Sequence, residues 1–395
     1  MENKYALINV KIVTPFRILD PGTIVFEGRK ISNLGKTSDV TVEPDTKIFD
    51  LKGFMVTPGF IDLLVHGGNG AGFADADAND DQSVTKISDF FFQHGTTGML
   101  ASLFSKKMPL LKNDMNRLAS YIENHSSSNI WGIHMEGPFI NPLIKGAHKI
   151  EYLWEPNVEK WNELYESSRG YIKLMTIAPE LPGNIDVIRA AAIQGVVPSI
   201  GHTLALYDDI EKAIDNGAAH VTHMFNAMRP FHHREPGIMV AALLKNELKI
   251  ELIADGIHVD PIVMKLLHNI KGSGGIILVT DAIRASGMPD GDYHFMDQKI
   301  IVKEKRAFLE NGTLAGSTLT MEVAVRNMVK LVGVPLTDAV RMASLNGAKV
   351  LNLEHQKGIL AVGKDADLVV MDDEFNVHAT IYEGEIKFQK GGILR

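Results

Sequence analysis

Cysteine is absent from all 395 residues of the chain. Its absence excludes disulfide bonds and thiolate metal ligands, so any metal ion must be bound by histidine, aspartate or glutamate. The first residues, Met1–Tyr5, lack the basic start and apolar core of a secretory signal peptide. No apolar run approaches the roughly 20 residues needed to span a bilayer. We therefore expect a cytoplasmic protein that has no membrane partner.

An excess of positive charge is also lacking, because the formal net charge is −8 at pH 7. This balance argues against nucleic acid or an anionic membrane as the main partner, while a local basic pocket for a small anion stays compatible with it. The hydrophobic content of 45% and the charged content of 22% are typical of a soluble globular protein. The length allows one large domain together with a small one.

Both ends of the chain have the residue pattern of short strands. Tyr5–Val13 and Thr23–Phe26 are rich in β-branched and aromatic residues and are separated by the turn residues Asp20-Pro21-Gly22. The segment from Gly358 to Phe388 has the same strand-like residue pattern. We therefore predict a small β-sandwich domain formed from both chain ends, residues 1–57 and 355–395.

Between these ends, short apolar segments alternate with stretches long enough for crossover helices. Eight such units predict a (β/α)8 TIM-like barrel over residues 58–354. A doubly wound open sheet is the alternative, but no glycine-rich dinucleotide fingerprint opens any helix. The candidate strands are Phe60–Val65, Thr97–Ser102, Ile130–Met135, Ile172–Ile177, Val196–Ile200, His220–Thr222, Ile250–Ala254 and Ile276–Val279.

An ionisable residue stands at or just past the end of six apolar segments. A single histidine in such a place is more often a hydrogen-bonded structural residue. A barrel, however, brings the carboxyl ends of its strands to one face, where active sites lie. The six residues are His66, Glu136, His202, His223, His258 and Asp281.

Three of these residues form a plausible metal site. Glu136, His202 and His223 together offer one oxygen and two nitrogen donors, a set that suits Zn²⁺ or a similar divalent ion with one position open for water. Asp281 could take a proton from that water and return it to a leaving group. The alternative for Asp281 is a turn or capping residue before Ala282.

A second group of polar residues has the chemistry of a substrate site. His148 lies in the polar loop Lys145-Gly146-Ala147-His148, and Arg234 follows two histidines. The guanidinium fork of an arginine matches the oxygens of a phosphate. A solvated basic loop is the alternative interpretation of the Arg234 region.

A set of short motifs runs in order along essentially the whole chain. Each is weak alone, but the combination is specific. Together they resemble the N-acetylglucosamine-6-phosphate deacetylase family of the amidohydrolase superfamily. The motifs are Pro58-Gly59-Phe60-Ile61-Asp62, His134-Met135-Glu136-Gly137-Pro138-Phe139, Lys145-Gly146-Ala147-His148, Gly201-His202-Thr203, Thr222-His223-Met224-Phe225-Asn226-Ala227-Met228, Arg234-Glu235-Pro236-Gly237, Ala254-Asp255-Gly256-Ile257-His258, Val279-Thr280-Asp281-Ala282, Leu314-Ala315-Gly316-Ser317 and Gly363-Lys364-Asp365-Ala366-Asp367-Leu368.

The resemblance implies a metal-dependent reaction, the hydrolysis of the acetamide of N-acetylglucosamine 6-phosphate to glucosamine 6-phosphate and acetate. It implies one divalent metal ion per subunit, with Zn²⁺ expected and Fe²⁺, Mn²⁺ or Co²⁺ as alternatives. Glu136, His202 and His223 would hold this ion. Asp281 would act first as general base and then as general acid.

The resemblance also implies contacts with the substrate. His148 would lie near the acetamide or the sugar. Arg234 would reach in from the neighbouring subunit of a homodimer to bind the sugar phosphate. The other residues implied are Asn226, Ala227 and His258 at the phosphate, and Leu314, Ala315 and Gly316 along the pocket.

One departure from the superfamily pattern concerns the metal. After Pro-Gly-Phe-Ile-Asp, many members carry His-x-His to hold a second ion, and here the three places are Leu64, Val65 and His66. Leucine cannot bind a metal, so we expect a single ion. The alternative functions are deacetylation of N-acetylgalactosamine 6-phosphate, hydrolysis of another amide, and a non-catalytic scaffold or sensor built on the same fold.

Overall fold

The computed structural model describes residues 4–74, 81–295 and 298–394. Its strands, in chain order, are β1 (Lys4–Val13), β2 (Ile18–Glu27), β3 (Lys30–Lys36), β4 (Lys47–Asp50), β5 (Met55–Pro58), β6 (Phe60–Val65), β7 (Gly67–Gly68), β8 (Ala71–Gly72), β9 (Thr96–Phe104), β10 (Ile130–Glu136), β11 (Ile172–Ile177), β12 (Val197–Ile200), β13 (His220–Val221), β14 (Lys249–Ile253), β15 (Ile276–Val279), β16 (Gly291–Phe295), β17 (Gln298–Lys303), β18 (Arg306–Leu309), β19 (Leu368–Met371), β20 (Val377–Tyr382) and β21 (Glu385–Gln389).

The helices alternate with the strands of the central region. Asn157 and Asp260 cap two of them, because the side chain of each accepts the backbone N–H of a residue in the first turn. The helices are α1 (Asp81–Gln93), α2 (Met108–Asn124), α3 (Val158–Ser167), α4 (Asn184–Ile193), α5 (Tyr207–Asp215), α6 (Ile238–Leu244), α7 (Pro261–Lys271), α8 (Met321–Asn327), α9 (Leu336–Ala343) and α10 (Leu345–Val350). None of them combines the length and apolar composition that crossing a membrane requires.

A parallel sheet of eight strands confirms the predicted barrel. Its strands follow one another in the order β6, β9, β10, β11, β12, β13, β14 and β15. The two end strands meet where Val65 forms a parallel bridge with Ala282 and the N–H of Asp281 donates to the carbonyl of Leu64 at 2.9 Å. The eight candidate strands are all present, with ends within two residues of those predicted.

A second, mostly antiparallel sheet is formed from both chain ends, as the sequence predicts. Its order is β21, β20, β19, β5, β1, β2 and β3, with β4 paired to β1. Side chains from both ends, such as Leu7, Ile24, Leu368 and Ile381, are fully buried in one hydrophobic core. Burial of these chain ends therefore stabilises a separate β domain.

The chain divides into two compact units. One comprises Met1–Asp62, Asp89–Gly98 and Thr320–Arg395, and the other comprises Leu63–Ser88 and Met99–Leu319. The predicted boundaries assign residues 1–57 and 355–395 to the β domain and residues 58–354 to the barrel. They follow the change in residue pattern along the sequence and stay a prediction. The candidate catalytic, metal and substrate residues all have numbers within the second unit.

A buried ion cluster joins the carboxyl-terminal strands in the first unit. The ammonium nitrogen of Lys357 lies 3.0 Å from Asp365, 2.9 Å from Asp367 and 3.1 Å from Glu383. Burial by itself lowers the pKa of Lys357, but attraction to Asp367 and its neighbours raises the pKa above the ordinary value. One buried cation therefore lies at the centre of the cluster, and the more exposed Arg29 and Lys30 also pair with Asp365.

We expect Lys357→Met to lower the free energy of unfolding by about 3–5 kcal/mol, because it removes the buried cation that pairs with the buried carboxylate of Asp367. Urea denaturation followed by circular dichroism measures this loss. Lys387→Met is the matched control, since among the described residues Lys387 pairs with the exposed Glu385 at 2.7 Å and such pairs contribute about 0–1 kcal/mol. Equal losses in the two variants would contradict the role of the cluster.

Candidate active site

The barrel strands end in residues with an unusual backbone. Glu136 is the last residue of β10, and His202, His223 and Asp281 each stand two residues beyond the end of β12, β13 and β15. These three residues have φ angles of 46°, 30° and 51°. A left-handed conformation in a residue other than glycine costs on the order of 1–3 kcal/mol and is concentrated at functional sites. The strained turns therefore mark the mouth of the barrel as the candidate site.

Glu136 lies at the centre of this site. Its Oε1 atom is 3.1 Å from Nε2 of His202 and 3.1 Å from Nε2 of His223. The two Nε2 atoms are 3.0 Å from each other. All three side chains are buried. The structure thus brings the three predicted metal ligands together around one point.

The protonation of His202 can be deduced from its surroundings. Its Nδ1 atom lies 3.2 Å from the carbonyl of Ile144, to which only an N–H can donate. Burial is the main cause that lowers the pKa of His202 to about 4, so the ring is neutral at pH 7. Its Nε2 atom therefore presents a lone pair towards Glu136 and His223. Electron-pair donors facing one another in this way fit a divalent cation, and the carbonyl partner is the orienting contact typical of a metal-binding histidine.

His66 is a fourth member of the site, and the sequence left its contacts open. Its Nε2 atom lies 3.2 Å from Glu136 and 3.3 Å from Asp281. Burial lowers its pKa, but hydrogen bonds with Asp281 and Glu136 outweigh burial and raise the pKa to about 10. His66 therefore links the central carboxylate to the candidate base. Leu64 lies fully buried two residues earlier, and the expectation of a single metal ion stays a prediction.

His148 completes the ring of histidines around Glu136. Its Nε2 atom is 3.4 Å from Oε2 of Glu136, and its Nδ1 atom is 3.1 Å from the hydroxyl of Ser105. Ligand atoms of Glu136, His148 and His202 lie within 4.8 Å of one another, so this trio could also hold a metal ion. The predicted trio with His223 is tighter. Nε2 of His148 has no hydrogen-bond partner among the described residues, and His148 lines a cavity that opens over the site.

A cavity of about 430 Å³ opens over these side chains, within the size range of small-molecule sites. Two predicted residues do not line it. Ala315 is buried beside it, and Arg234 lies on an exposed loop with its guanidinium 2.7 Å from His233. The predicted residues that line the cavity are Glu136, His148, His202, His223, Asn226, Ala227, His258, Asp281, Leu314 and Gly316.

His258 is oriented by a neighbouring carboxylate. Oδ2 of Asp255 lies 2.7 Å from Nδ1 of His258, and Oδ1 accepts the backbone N–H of Ile257 and of His258. Burial tends to raise the pKa of Asp255, but these bonds, the one from His258 foremost, lower it. Nε2 is left as the polar atom that His258 can offer to a ligand.

Sequence reasoning missed several residues of the cavity wall. Phe295, at the end of β16, packs its ring 5.4 Å from His66 and 5.3 Å from Phe104. Lys145 and Thr313 also line the cavity. Phe295 comes from a three-stranded sheet inserted after the last barrel strand, and no local signal in its sequence indicates that it reaches the site.

The chain matches the Amidohydrolase family over residues 55–387. It is 36% identical to the N-acetylglucosamine-6-phosphate deacetylase of Bacillus subtilis, with 98% of each chain covered. It is 33% identical to the human enzyme of the same name, over 94% of this chain and 90% of that one. A structure of a mutant N-acetyl-D-glucosamine-6-phosphate deacetylase from Mycobacterium smegmatis, in complex with N-acetyl-D-glucosamine-6-phosphate, superposes with a TM-score of 0.92 at 33% identity, covering 98% of this chain and all of that one.

Gly146 brings its loop unusually close to His202. A Cβ atom at this position would lie 3.0 Å from Cε1 of His202, and the φ angle of 58° already disfavours a side chain. We expect Gly146→Ala to weaken the binding of a divalent metal ion roughly tenfold by displacing the imidazole, in line with the effect of changes around metal ligands. A competition titration against a chromophoric chelator measures this affinity.

Gly195→Ala is the matched control for this prediction. Gly195 has a φ angle of 80°, but no atom of the described part of the chain would lie within 4 Å of a Cβ added there. Both variants should lose about 1 kcal/mol of stability from backbone strain. Metal binding that weakens equally in the two variants would show that strain, and not contact with His202, is responsible.

Proposed function

The chain belongs to the amidohydrolase family, and we propose that it hydrolyses the acetamide of N-acetylglucosamine 6-phosphate to give glucosamine 6-phosphate and acetate. The observation that carries this proposal is the convergence of Glu136, His202 and His223 on one point, with Asp281 in the same cavity. The substrate is taken from the relatives, one of which is described in complex with it. A cavity of about 430 Å³ is large enough for a single sugar phosphate.

Glu136, His202 and His223 would hold one divalent ion, most simply Zn²⁺. When bound, such an ion polarises the amide carbonyl and lowers the pKa of water. The two neutral donors and one carboxylate leave the site a net positive charge with the ion present, which favours the developing oxyanion. Fe²⁺, Mn²⁺ or Co²⁺ fit the same donors.

Asp281 carries the proton in this proposal. Its carboxylate takes one proton from the attacking water as the oxygen bonds to the carbonyl carbon. It then gives that proton to the amine nitrogen as the carbon–nitrogen bond breaks, so acetate and the free amino sugar leave. His66, 3.3 Å from Oδ1, orients Asp281 for both transfers. His148 is placed to donate a hydrogen bond to the acetamide or to the sugar.

The phosphate would bind against Asn226, Ala227 and His258, which line the cavity and carry N–H groups. Arg234 is outside the cavity of its own chain, so it can contribute only if the loop moves or if it comes from a second copy. We propose a homodimer in which Arg234 of each copy completes the site of the other.

The experiment that tests the function is acetate release from N-acetylglucosamine 6-phosphate by metal-replete protein, with a chelator-treated sample alongside. We expect release that the chelator abolishes and Zn²⁺ restores. No release from protein that binds metal would move the proposal to another amide, for which N-acetylgalactosamine 6-phosphate is the first to try. No release from protein that also binds no metal would favour a non-catalytic scaffold built on the same fold.

Asp281→Asn should lower kcat by on the order of 10²–10⁴, the range for loss of a general acid–base group. Bound metal should stay at one equivalent, because the substitution removes a proton carrier and keeps the shape. Glu211→Gln, a substitution at a partly exposed residue that pairs with Lys245, is the control. Activity of the Asn variant close to wild type would remove Asp281 from this role.

The origin of Arg234 can be tested with mixed dimers. Arg234→Ala should raise KM roughly 10–100-fold, the loss of a hydrogen bond to a charged group, while Asp281→Asn abolishes turnover. Co-expression of the two variants, with separate purification tags, should yield dimers with one complete site and restored activity at low substrate. If Arg234 acts within its own chain, the mixed dimers have no complete site and stay inactive.

A further inference from the structure

Glu180 is a carboxylate to which the reaction above gives no role. It stands three residues beyond the end of β11 in a loop at the mouth of the barrel. Three donors converge on its two oxygens. Asn141 Nδ2 donates to Oε1 at 2.8 Å, the backbone N–H of Leu204 donates to the same oxygen at 2.7 Å, and the hydroxyl of Thr203 donates to Oε2 at 2.5 Å. The carboxylate therefore ties the loop after β10 to the loop after β12.

The first of these loops supports His202 from two sides. The backbone N–H of Asn141 donates to the carbonyl of His202 at 3.0 Å. The side chain of Asn141 accepts the N–H of Leu143 and so caps the short 3₁₀ turn Pro142–Ile144. The last residue of that turn, Ile144, provides the carbonyl that accepts the Nδ1–H of His202. A displacement of Asn141 would thus move both the main chain and the ring of His202.

The second loop begins immediately after His202. Thr203 and Leu204, which both donate to Glu180, are the next two residues of the chain. Their bonds hold the backbone on the far side of His202, whose φ of 46° is unfavourable without support. Glu180 thereby holds the two residues that follow His202 and, through Asn141, the loop that contacts His202.

We propose that Glu180 is a positioning residue for the metal site, acting through His202. By joining the two loops it fixes the backbone of His202 and keeps Nδ1 on Ile144, so that Nε2 faces Glu136 and His223. The inference rests on the proposed function, since it takes His202 to be a metal ligand. A carboxylate suits this place because all three of its partners are donors, and an ionised acceptor makes the strongest bonds to them.

Three variants test the proposal, with Zn²⁺ affinity measured on metal-free protein by competition with a chromophoric chelator. Glu180→Ala removes every acceptor and should weaken Zn²⁺ binding roughly 10–100-fold, the range for residues that orient metal ligands. Glu180→Gln should stay within about threefold of wild type. Its amide oxygen can accept from Asn141 and Leu204, and its NH₂ can donate to the hydroxyl of Thr203, which is also an acceptor.

Asn184→Ala is the matched control. Asn184 is fully buried and its amide also joins two neighbouring loops, through the carbonyls of Phe139 and Ala178. The hydrogen bonds described for Asn184 do not include Asn141, Thr203 or Leu204. We expect this variant to lose thermal stability as Glu180→Ala does, and to keep Zn²⁺ affinity within about threefold of wild type.

The outcomes distinguish failure of the metal site from failure of the role given to Glu180. Wild-type protein that binds no Zn²⁺ would refute the metal site itself. If wild type binds Zn²⁺, then unchanged affinity in Glu180→Ala, or an equal loss in Asn184→Ala, would overturn the role of Glu180. Should Glu180→Ala fail to fold, Asn141→Ala takes its place. It cuts one link of the same connection, and unchanged affinity there would overturn the proposal equally.

Discussion

The site depends on one buried carboxylate. Burial by itself raises the pKa of Glu136, but contacts with the four surrounding imidazoles of His148, His202, His223 and His66 hold the pKa well below its ordinary value. A buried carboxylate is costly unless hydrogen-bond donors or a cation surround it. These four histidines come from loops that follow four different strands. Only a sheet that closes on itself brings them around the two carboxylate oxygens of Glu136. The chemistry of the site is therefore a consequence of barrel closure.

The layer beneath the site is a neutral hydrogen-bonded network. His134 lies two residues before Glu136 on β10, so both side chains point into the barrel. Its Nδ1 atom is 2.9 Å from the carbonyl of Leu63, and its Nε2 atom is 2.8 Å from the hydroxyl of Thr176. Burial lowers the pKa of His134 to about 4 and that of His220, deeper in the same network, to about 3. Neutral rings below the site add no positive charge that would compete with a bound cation.

The sequence was sufficient for the strands and the ends of the strands, and insufficient for contacts that cross the barrel. Hydrophobic periodicity and residue composition are properties of short segments, so the eight buried strands could be identified directly from the sequence. The contacts of His66 with Glu136 and Asp281 involve the first, third and last strands, and no local pattern encodes that proximity. Glu180 could not be identified from the sequence, because it lies three residues past the end of its strand in a segment with the composition of a turn. The position of Arg234 outside the cavity is set by its loop, which has no periodic signal.

Three histidines at the mouth have orienting partners of their own, and these partners lie on different loops. His202 is held by the carbonyl of Ile144, His258 by Asp255 and His148 by Ser105. Such contacts fix which ring nitrogen carries a proton, and hence which nitrogen can bind a metal or a substrate. A related chain could therefore keep every metal-ligand motif and still lose metal affinity if it lost these supports. Identity at the ligand positions is a weaker criterion for an active site of this kind than identity of the ligands together with the atoms that orient them.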